Sequence, residues 1–534
     1  MSDIKIGKNA IENLTIGMYE ESKIIYREYI QNAADQIDRA NKEKLFKEEL
    51  YIDIKIDSVN RKIVIRDNAT GIPKDLVRSK LEGVADSDKE KGKDKGFRGI
   101  GRLGGLAYCE TLRFITSARG EKIKTIMEWN AKELIRMLDD PSIKDDAASV
   151  LNKIIKYSFE ECEEEEHFFI VELENIREDN NDLLDISQVR RYIAINAPVP
   201  YPSKLIYKSK ISEYLVENNL PNNEYKIFVN TQQVLKLYTT SLYEKSGTQK
   251  KKYDEIYDIQ IEEFRTDEGE LLAWMWYGVS AFTKRIPSSV NDMAGIRIRQ
   301  ANIQIGDENT LIRFFKEERG NFYFVGEIHA VHPQLIPNGR RDYFNENYIR
   351  NEFEARLKYY FDNFHRLYHD ANDAKAAYKK ELELRVKQEE FEKKNGVFLN
   401  DKERDRMEEE IKTAKKEQEK ANKKIERLKE KAKTDPVLQR VLKQVEENHE
   451  NSLEEIGLSN DGNKKHTKGT NEKSIENNQH RNKKRKSMYL VDELSKLNDK
   501  QRKLVSKIYG IISNNLPDKE SMALINKIQE ELKR

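Results

Sequence analysis

The sequence predicts an α+β chain with a long helical C-terminal region, and three observations predict it. An amphipathic helix over residues 27–38 is followed by a β-branched run, Lys62-Ile63-Val64-Ile65-Arg66-Asp67, that ends in an acid before a Gly-Ile-Pro turn. Further strand-like runs, separated by Gly, Pro and Asn, continue to about residue 365. From there the composition changes abruptly to Lys, Glu, Arg and Gln, the residues of solvated helices.

The helix carries the first chemistry. Glu28 and Asn32, four apart, lie one above the other on one face. An acid beside an amide is the pairing needed to hold a metal and a water next to a phosphate. Ile24, Ile25, Ile30, Ala33, Ala34 and Ile37 supply an apolar face that packs the helix and aims the polar pair. By itself this spacing is ordinary for a solvated helix. The segments that follow raise its meaning.

Asp67-Asn68-Ala69-Thr70-Gly71-Ile72-Pro73 closes the β-branched run. The third segment is Lys95-Gly96-Phe97-Arg98-Gly99-Ile100-Gly101-Arg102-Leu103-Gly104-Gly105-Leu106. Its glycines let backbone N–H groups approach a polyphosphate, and the apolar run after them can open a helix whose N-terminus favours anions. A Lys/Asp-rich stretch and no strand precedes Gly96, so this is not a dinucleotide-binding fingerprint, and no Gly-x-x-x-x-Gly-Lys-Ser/Thr occurs.

Taken in order, these three segments resemble the GHKL ATPase superfamily of gyrase, the 90-kDa heat-shock chaperones, histidine kinases and MutL, with the MORC proteins as relatives. Helix 27–38 is most similar to the chaperone version, and Gly96-Phe97-Arg98-Gly99 to the MutL version. The resemblance implies a Bergerat-fold ATP-binding α/β sandwich over 1–190, with ATP and Mg²⁺ as cofactors. It implies Glu28 as the general base on the attacking water and Asn32 as the Mg²⁺ ligand. Asp67 is implied to accept the adenine amino group and Gly71 to let the base lie against the backbone. Asp35, Ile72, Gly96, Gly99, Ile100, Gly101 and Arg102 complete the implied ATP-binding set. One departure stands out: the family's Asp-x-Gly-x-Gly has Ala69 at its middle glycine. The Gly-Thr before a later strand is replaced by Glu166-His167, ahead of Phe168-Phe169-Ile170-Val171-Glu172-Leu173. The polar stretch Ser79–Lys95 reads as a solvated loop, which the resemblance makes an ATP lid.

Residues 191–365 read as a second α/β domain, with strand-like runs at 225–229, 271–277, 296–299, 302–305 and 322–328. The resemblance implies an S5-like transducer domain that returns a basic residue to the γ-phosphate. His329-Ala330-Val331-His332-Pro333 and Asn338-Gly339-Arg340-Arg341 are similar to the MutL and chaperone stretches, so Arg341 or Arg340 is the expected sensor, with Lys284 and Arg285 in reserve.

Residues 366–445 predict two long charged helices, 366–394 and 401–433, as a hairpin or arm. Residues 446–487 predict a disordered linker ending in the basic run Arg481–Lys486. In 488–534, Leu490, Leu494, Leu497, Leu504, Ile508 and Ile511 predict a helical seam, and Met522, Leu524, Ile525, Ile528 and Leu532 a second helix. So small an element cannot bury its stripe alone, which predicts docking or a homodimer.

Composition bounds the rest. At 534 residues the chain has room for two or three domains, and 96 basic against 95 acidic residues leave the net charge uninformative about partners. Two cysteines, Cys109 and Cys162, exclude a disulfide framework and suggest a reducing cytoplasm. No basic n-region with an apolar run opens the chain, and no stretch of about eighteen apolar residues occurs, so neither signal peptide nor membrane span is expected. Two function classes remain: an ATP-driven switch or clamp acting on DNA, a protein client or an effector, and a non-catalytic nucleotide-binding scaffold. An intact Glu28 favours the first. No phosphoacceptor-histidine helix precedes the ATPase segment and no strand-cleavage domain follows it, which disfavours a histidine kinase and a gyrase.

Overall fold

A computed structural model of the chain describes residues 6–15, 21–83, 101–394, 397–398, 401–455, 488–489 and 497–533. It separates into two compact units, Met1–His365 and Arg366–Arg534.

The first unit opens with α1 (Asn9–Thr15) and the long α2 (Ile24–Glu43). Strands β1 (Tyr51–Asp57), β2 (Lys62–Asp67), β3 (Thr111–Ser117), β4 (Ile123–Asn130), β5 (Ile155–Glu161), β6 (Phe168–Glu174), β7 (Lys226–Val229) and β8 (Gln232–Gln233) form one eight-stranded sheet in the order β5-β4-β3-β6-β2-β1-β7-β8. All pairings are antiparallel except β1 with β7. Helices α3 (Lys74–Leu81), α4 (Ala131–Asp139), α5 (Ala147–Ile154), α6 (Ile186–Asn196) and α7 (Lys208–Glu217) and a 3₁₀ helix, Gly101–Ala107, fill the connections. Asn130, Asp146 and Asp185 start α4, α5 and α6 by accepting a backbone N–H three residues on.

The two faces of this sheet differ because its strands alternate. Ile52, Ile54, Ile63, Ile65, Leu112, Phe114, Val171 and Leu173 join the apolar face of α2 in one buried core. On the other face Lys62 pairs with Glu172 and Glu174, and Arg113 with Glu128, Glu172 and Glu174, in a half-exposed ionic lattice. The sheet extends past the expected domain limit at residue 190. The 225–229 run belongs here and not to the second domain, because Ile227 and Val229 are fully buried beside β1.

A hairpin, β9 (Ser241–Ser246) and β10 (Gln249–Glu255), precedes a second sheet. This sheet comprises β11 (Asp258–Arg265), β12 (Leu271–Val279), β13 (Gly295–Gln300), β14 (Ile303–Ile305) and β15 (Val325–Ala330), ordered β11-β12-β15-β13-β14. Residues 322–323, expected to be extended, lie instead in a 3₁₀ turn, Glu318–Tyr323. Strand β15 is buried along its whole length, on both faces. The start of α8 (Tyr348–Lys393) covers the sheet with Phe353 and Phe364 against Phe264, Tyr277 and Phe324.

In the second unit, α8 continues and α9 (Asp401–Ala432) runs back along it. The ladder Asp373–Lys424, Lys380–Glu417, Lys387–Glu410 and Lys394–Glu403 fixes an antiparallel hairpin. Strands β16 (Val397–Phe398) and β17 (Met488–Tyr489) pair in parallel. Helix α10 (Pro436–Glu455) runs into the segment expected to be disordered. Leu438, Val441, Leu442, Val445 and Leu453 give it a buried face that the polar composition around them concealed. Residues 456–487, the remainder of that expectation with its basic run, lie outside the described residues.

The C-terminal helices α11 (Asp499–Asn515) and α12 (Asp518–Lys533) pack as a pair. Of the expected seam, Leu490 and Leu494 lie outside the described residues, Leu497 joins the contact, and the rest faces away from it. Tyr509 and Ile525 are buried with Leu497, Val505, Ile512, Ile528 and Leu532 around them, whereas Leu504, Ile508 and Ile511 are exposed. The two stripes are one residue apart, about 100° round the helix, and the aromatic one is inside. Among the described residues no helix is long and apolar enough to cross a membrane.

Candidate active site

The site grows from α2. Tyr26, Tyr29, Ile30, Ala33, Ala34 and Ile37 are buried, which leaves Glu28, Asn32, Asp35 and Gln36 half-buried along the next face. At one end of this stripe the backbone of Gly101 lies directly on the Glu28 carboxylate: a Cβ at Gly101 would stand 2.5 Å from Oε2. The contact is held from below, where the Gly105 N–H donates to the Tyr29 hydroxyl (3.0 Å) and that hydroxyl donates to the Arg102 carbonyl (3.1 Å). Arg27, buried, donates to Glu28 Oε1 at 3.2 Å. The Arg102 guanidinium donates to the Gly83 carbonyl.

At the other end, Gln36 bonds the Thr70 hydroxyl at 2.8 Å. Glu28 and Gln36 are eight residues apart, so the stripe spans about 12 Å between two loops that sequence separates widely. The turn at the far end starts from Asp67. Because strand residues alternate, Asp67 shares the core-facing side of β2 with Ile63 and Ile65. It is buried, and burial pushes its carboxyl up to about 7, against partial relief from the Ala69 N–H that donates to it at 3.0 Å. Gly71 has φ +62°, and any Cβ there would overlap the Ser117 carbonyl, so the turn lies flat against β3 as only glycine permits. The Ile72 N–H donates to Thr116 Oγ1 (2.8 Å), which in turn donates to the Phe168 carbonyl (2.9 Å).

The structure thus joins Glu28 with Gly101 and places Asn32 and Asp35 on the same stripe, with Asp67, Gly71 and Ile72 at its end. Gly96, Gly99 and Ile100, and residues 84–95 of the lid expected over Ser79–Lys95, lie outside the described residues; Ser79–Leu81, expected as loop, form the last turn of α3, because Leu81 is buried with Val77 on its apolar face. The apolar run after Gly101 forms the 3₁₀ helix and not an α-helix. Arg340 and Arg341 stand in the loop after β15, Arg340 exposed and Arg341 buried in left-handed backbone (φ 58°). Lys284 is paired with Glu244, and Arg285 lies over the Phe322 ring at 4.8 Å. Sequence reasoning missed Gln36, Tyr29 and Thr116. Gln36 was readable, since it continues the 28–32 spacing; Thr116 carries no local signal.

A half-buried carboxylate against glycine backbone, joined by one helix to a buried aspartate in a glycine turn, on a mixed sheet with one open face, defines the class. Residues 21–167 match the family described as "Histidine kinase-, DNA gyrase B-, and HSP90-like ATPase", and they are a GHKL-type ATPase domain with the Bergerat fold. Among curated proteins, the chain is similar to the chaperone protein HtpG of Psychrobacter cryohalolentis, 25% identical over 170 residues, covering 28% of this chain and 26% of that protein. It is also similar to the chaperone protein HtpG of Bacillus licheniformis, 23% identical over 208 residues, covering 36% and 33%. The similarity therefore spans between a quarter and a third of each relative.

Proposed function

We propose that the chain binds ATP along the α2 stripe and hydrolyses it to ADP and phosphate. The observation that carries this reading is the double anchoring of α2, with Glu28 on Gly101 at one end and Gln36 on Thr70 at the other. Glu28 takes the proton of the attacking water, and the glycine backbone around 101 receives the phosphates. Asp67 accepts from the adenine amino group, and Gly71 leaves room for the base. The hard oxygen donors on the stripe suit Mg²⁺: Asn32 would hold it, and the ion would neutralise phosphate charge in the transition state. Arg340, the exposed member of its pair, is our choice of γ-phosphate sensor, with the second sheet as transducer.

On this reading the molecule is a switch or clamp: nucleotide engages the sensor, and the helical region passes the change to a DNA or protein partner. The apolar residues left exposed on α11 and α12 suit a homodimer contact. The test is nucleotide turnover by the full chain with Mg²⁺. Hydrolysis of ATP in clear preference to GTP, lost in Asp67→Asn through weakened binding, is the expected result. Binding without turnover would make the chain a nucleotide-binding scaffold instead.

A further inference from the structure

The family's Gly-Thr is absent here, and the residue in its place, His167, has a position that the ATPase chemistry does not use. His167 is buried just before β6, and its ring stacks on Phe46 with centroids 3.8 Å apart and planes 7° from parallel. Both ring nitrogens meet oxygen. Nδ1 lies 2.7 Å from the carbonyl of Ala69, and Nε2 lies 2.7 Å from a carboxylate oxygen of Glu48. A carbonyl oxygen only accepts, and so does an ionised carboxylate, so the form that satisfies both contacts carries a proton on each nitrogen. Glu48 is the right partner for such a cation: its own backbone N–H and the His167 bond hold its carboxyl below the usual range.

The peptide that His167 grips is the one that matters. The Ala69 N–H donates to Asp67 and the Ala69 carbonyl accepts from His167, so one residue lies between two titratable groups. Ala69 is fully buried and stands where the family has its flexible middle glycine. We propose that His167, bridging the Ala69 carbonyl and Glu48 through its two ring nitrogens, is the positioning residue of the adenine-binding turn, and that removing this bridge weakens ATP binding. This rests on the reading of the site as an ATP site. Without the ring, the buried Ala69 carbonyl loses its side-chain partner and the turn loses its tie to the loop after α2.

Charged groups flank this ring. Glu48 meets it from the loop after α2. Arg119, paired with Glu165, lies over the far ring of the stack, 6.0 Å from the Phe46 centroid. Arg66, on β2, lies over Phe168. Asp67 meets the other side of the same residue: its ionised form accepts from adenine, so binding strengthens as pH rises through about 7.

The experiment is KM and kcat for ATP, for the full chain and for His167→Ala, His167→Gln and Glu48→Ala. His167→Ala should raise KM about tenfold with little change in kcat, and His167→Gln, which keeps an amide donor, should recover part of that loss. An unchanged KM in His167→Ala, or a kcat that falls as far as KM rises, overturns the proposal. Should His167→Ala fail to fold by circular dichroism, Glu48→Ala decides, since Glu48 is half exposed. A raised KM there supports the bridge, and an unchanged KM overturns it. A wild type that binds no nucleotide overturns the ATP reading itself and this role with it, a result distinct from a bound wild type with an indifferent His167.

Discussion

A carboxylate on the core-facing side of a strand is costly, and Asp67 makes that cost visible in its raised pKa. Between the ordinary aspartate range near 4 and about 7 the folded chain holds a proton that the unfolded chain has released. Stability therefore falls as pH rises across that window, by about 1.4 kcal/mol for each pH unit crossed. Asp67→Asn should flatten the pH dependence of the urea midpoint, gain stability relative to wild type at pH 8, and bind ATP poorly. Gly101→Ala tests the other end of the stripe. The atom it would meet is the far end of a flexible side chain, so the melting temperature should hardly move, while turnover should fall about tenfold or more as Glu28 is pushed aside. Both positions were legible in the sequence because their settings are local: a strand alternation that ends in an acid, and a glycine among glycines. His167 was legible only as a departure from a pattern. Its partners Ala69, Glu48 and Phe46 lie about a hundred residues away, and no period or spacing encodes them.

The elements repeat that lesson with a different cause. Helix 27–38 and the strands at 62–67, 271–277 and 296–299 announced themselves by period, and the structure has them. What periodicity does not carry is pairing: β7 crosses the expected boundary to join β1, and α11 turns its Tyr509 stripe inward when the neighbouring leucine and isoleucine stripe was equally apolar. The junction of the two sheets in the first unit also escaped the sequence. Glu327, on β15, receives hydrogen bonds from Arg299, Tyr201, Tyr238 and Lys236, with His329 Nε2 3.1 Å away, all of them buried. Lys236 follows directly from the edge of the first sheet, and Arg299 reaches the Ile195 carbonyl on α6. Read in isolation, these residues look like surface charge. Removing the carboxylate that pairs directly with both cations should be severe: Glu327→Gln is expected to lower the unfolding free energy by about 3–5 kcal/mol, measured from the urea midpoint with the m-value unchanged.

At the scale of the whole molecule, the first unit holds the GHKL-type domain and the second unit is built from charged helices with an apolar remainder on α11 and α12. Leu504, Ile508 and Ile511 are 59%, 41% and 63% exposed, and Met522 and Leu524 add to the same pair of helices, more apolar surface than a solvated hairpin needs. If this face closes a dimer, Leu504→Lys with Ile511→Lys should convert dimer to monomer by light scattering without loss of helix content; a wild type already monomeric at working concentration would rule out a homodimeric clamp and leave the ATPase reading untouched. The proposed base of the ATP-hydrolysing site is Glu28. It is tested by steady-state ATP turnover of wild type and Glu28→Ala, with nucleotide affinity determined on the same preparations. Turnover in the wild type and at least a hundredfold loss in the variant are expected, with affinity within a few-fold, in keeping with removal of a general base. Equal turnover in the two proteins, or affinity lost together with turnover, would contradict it.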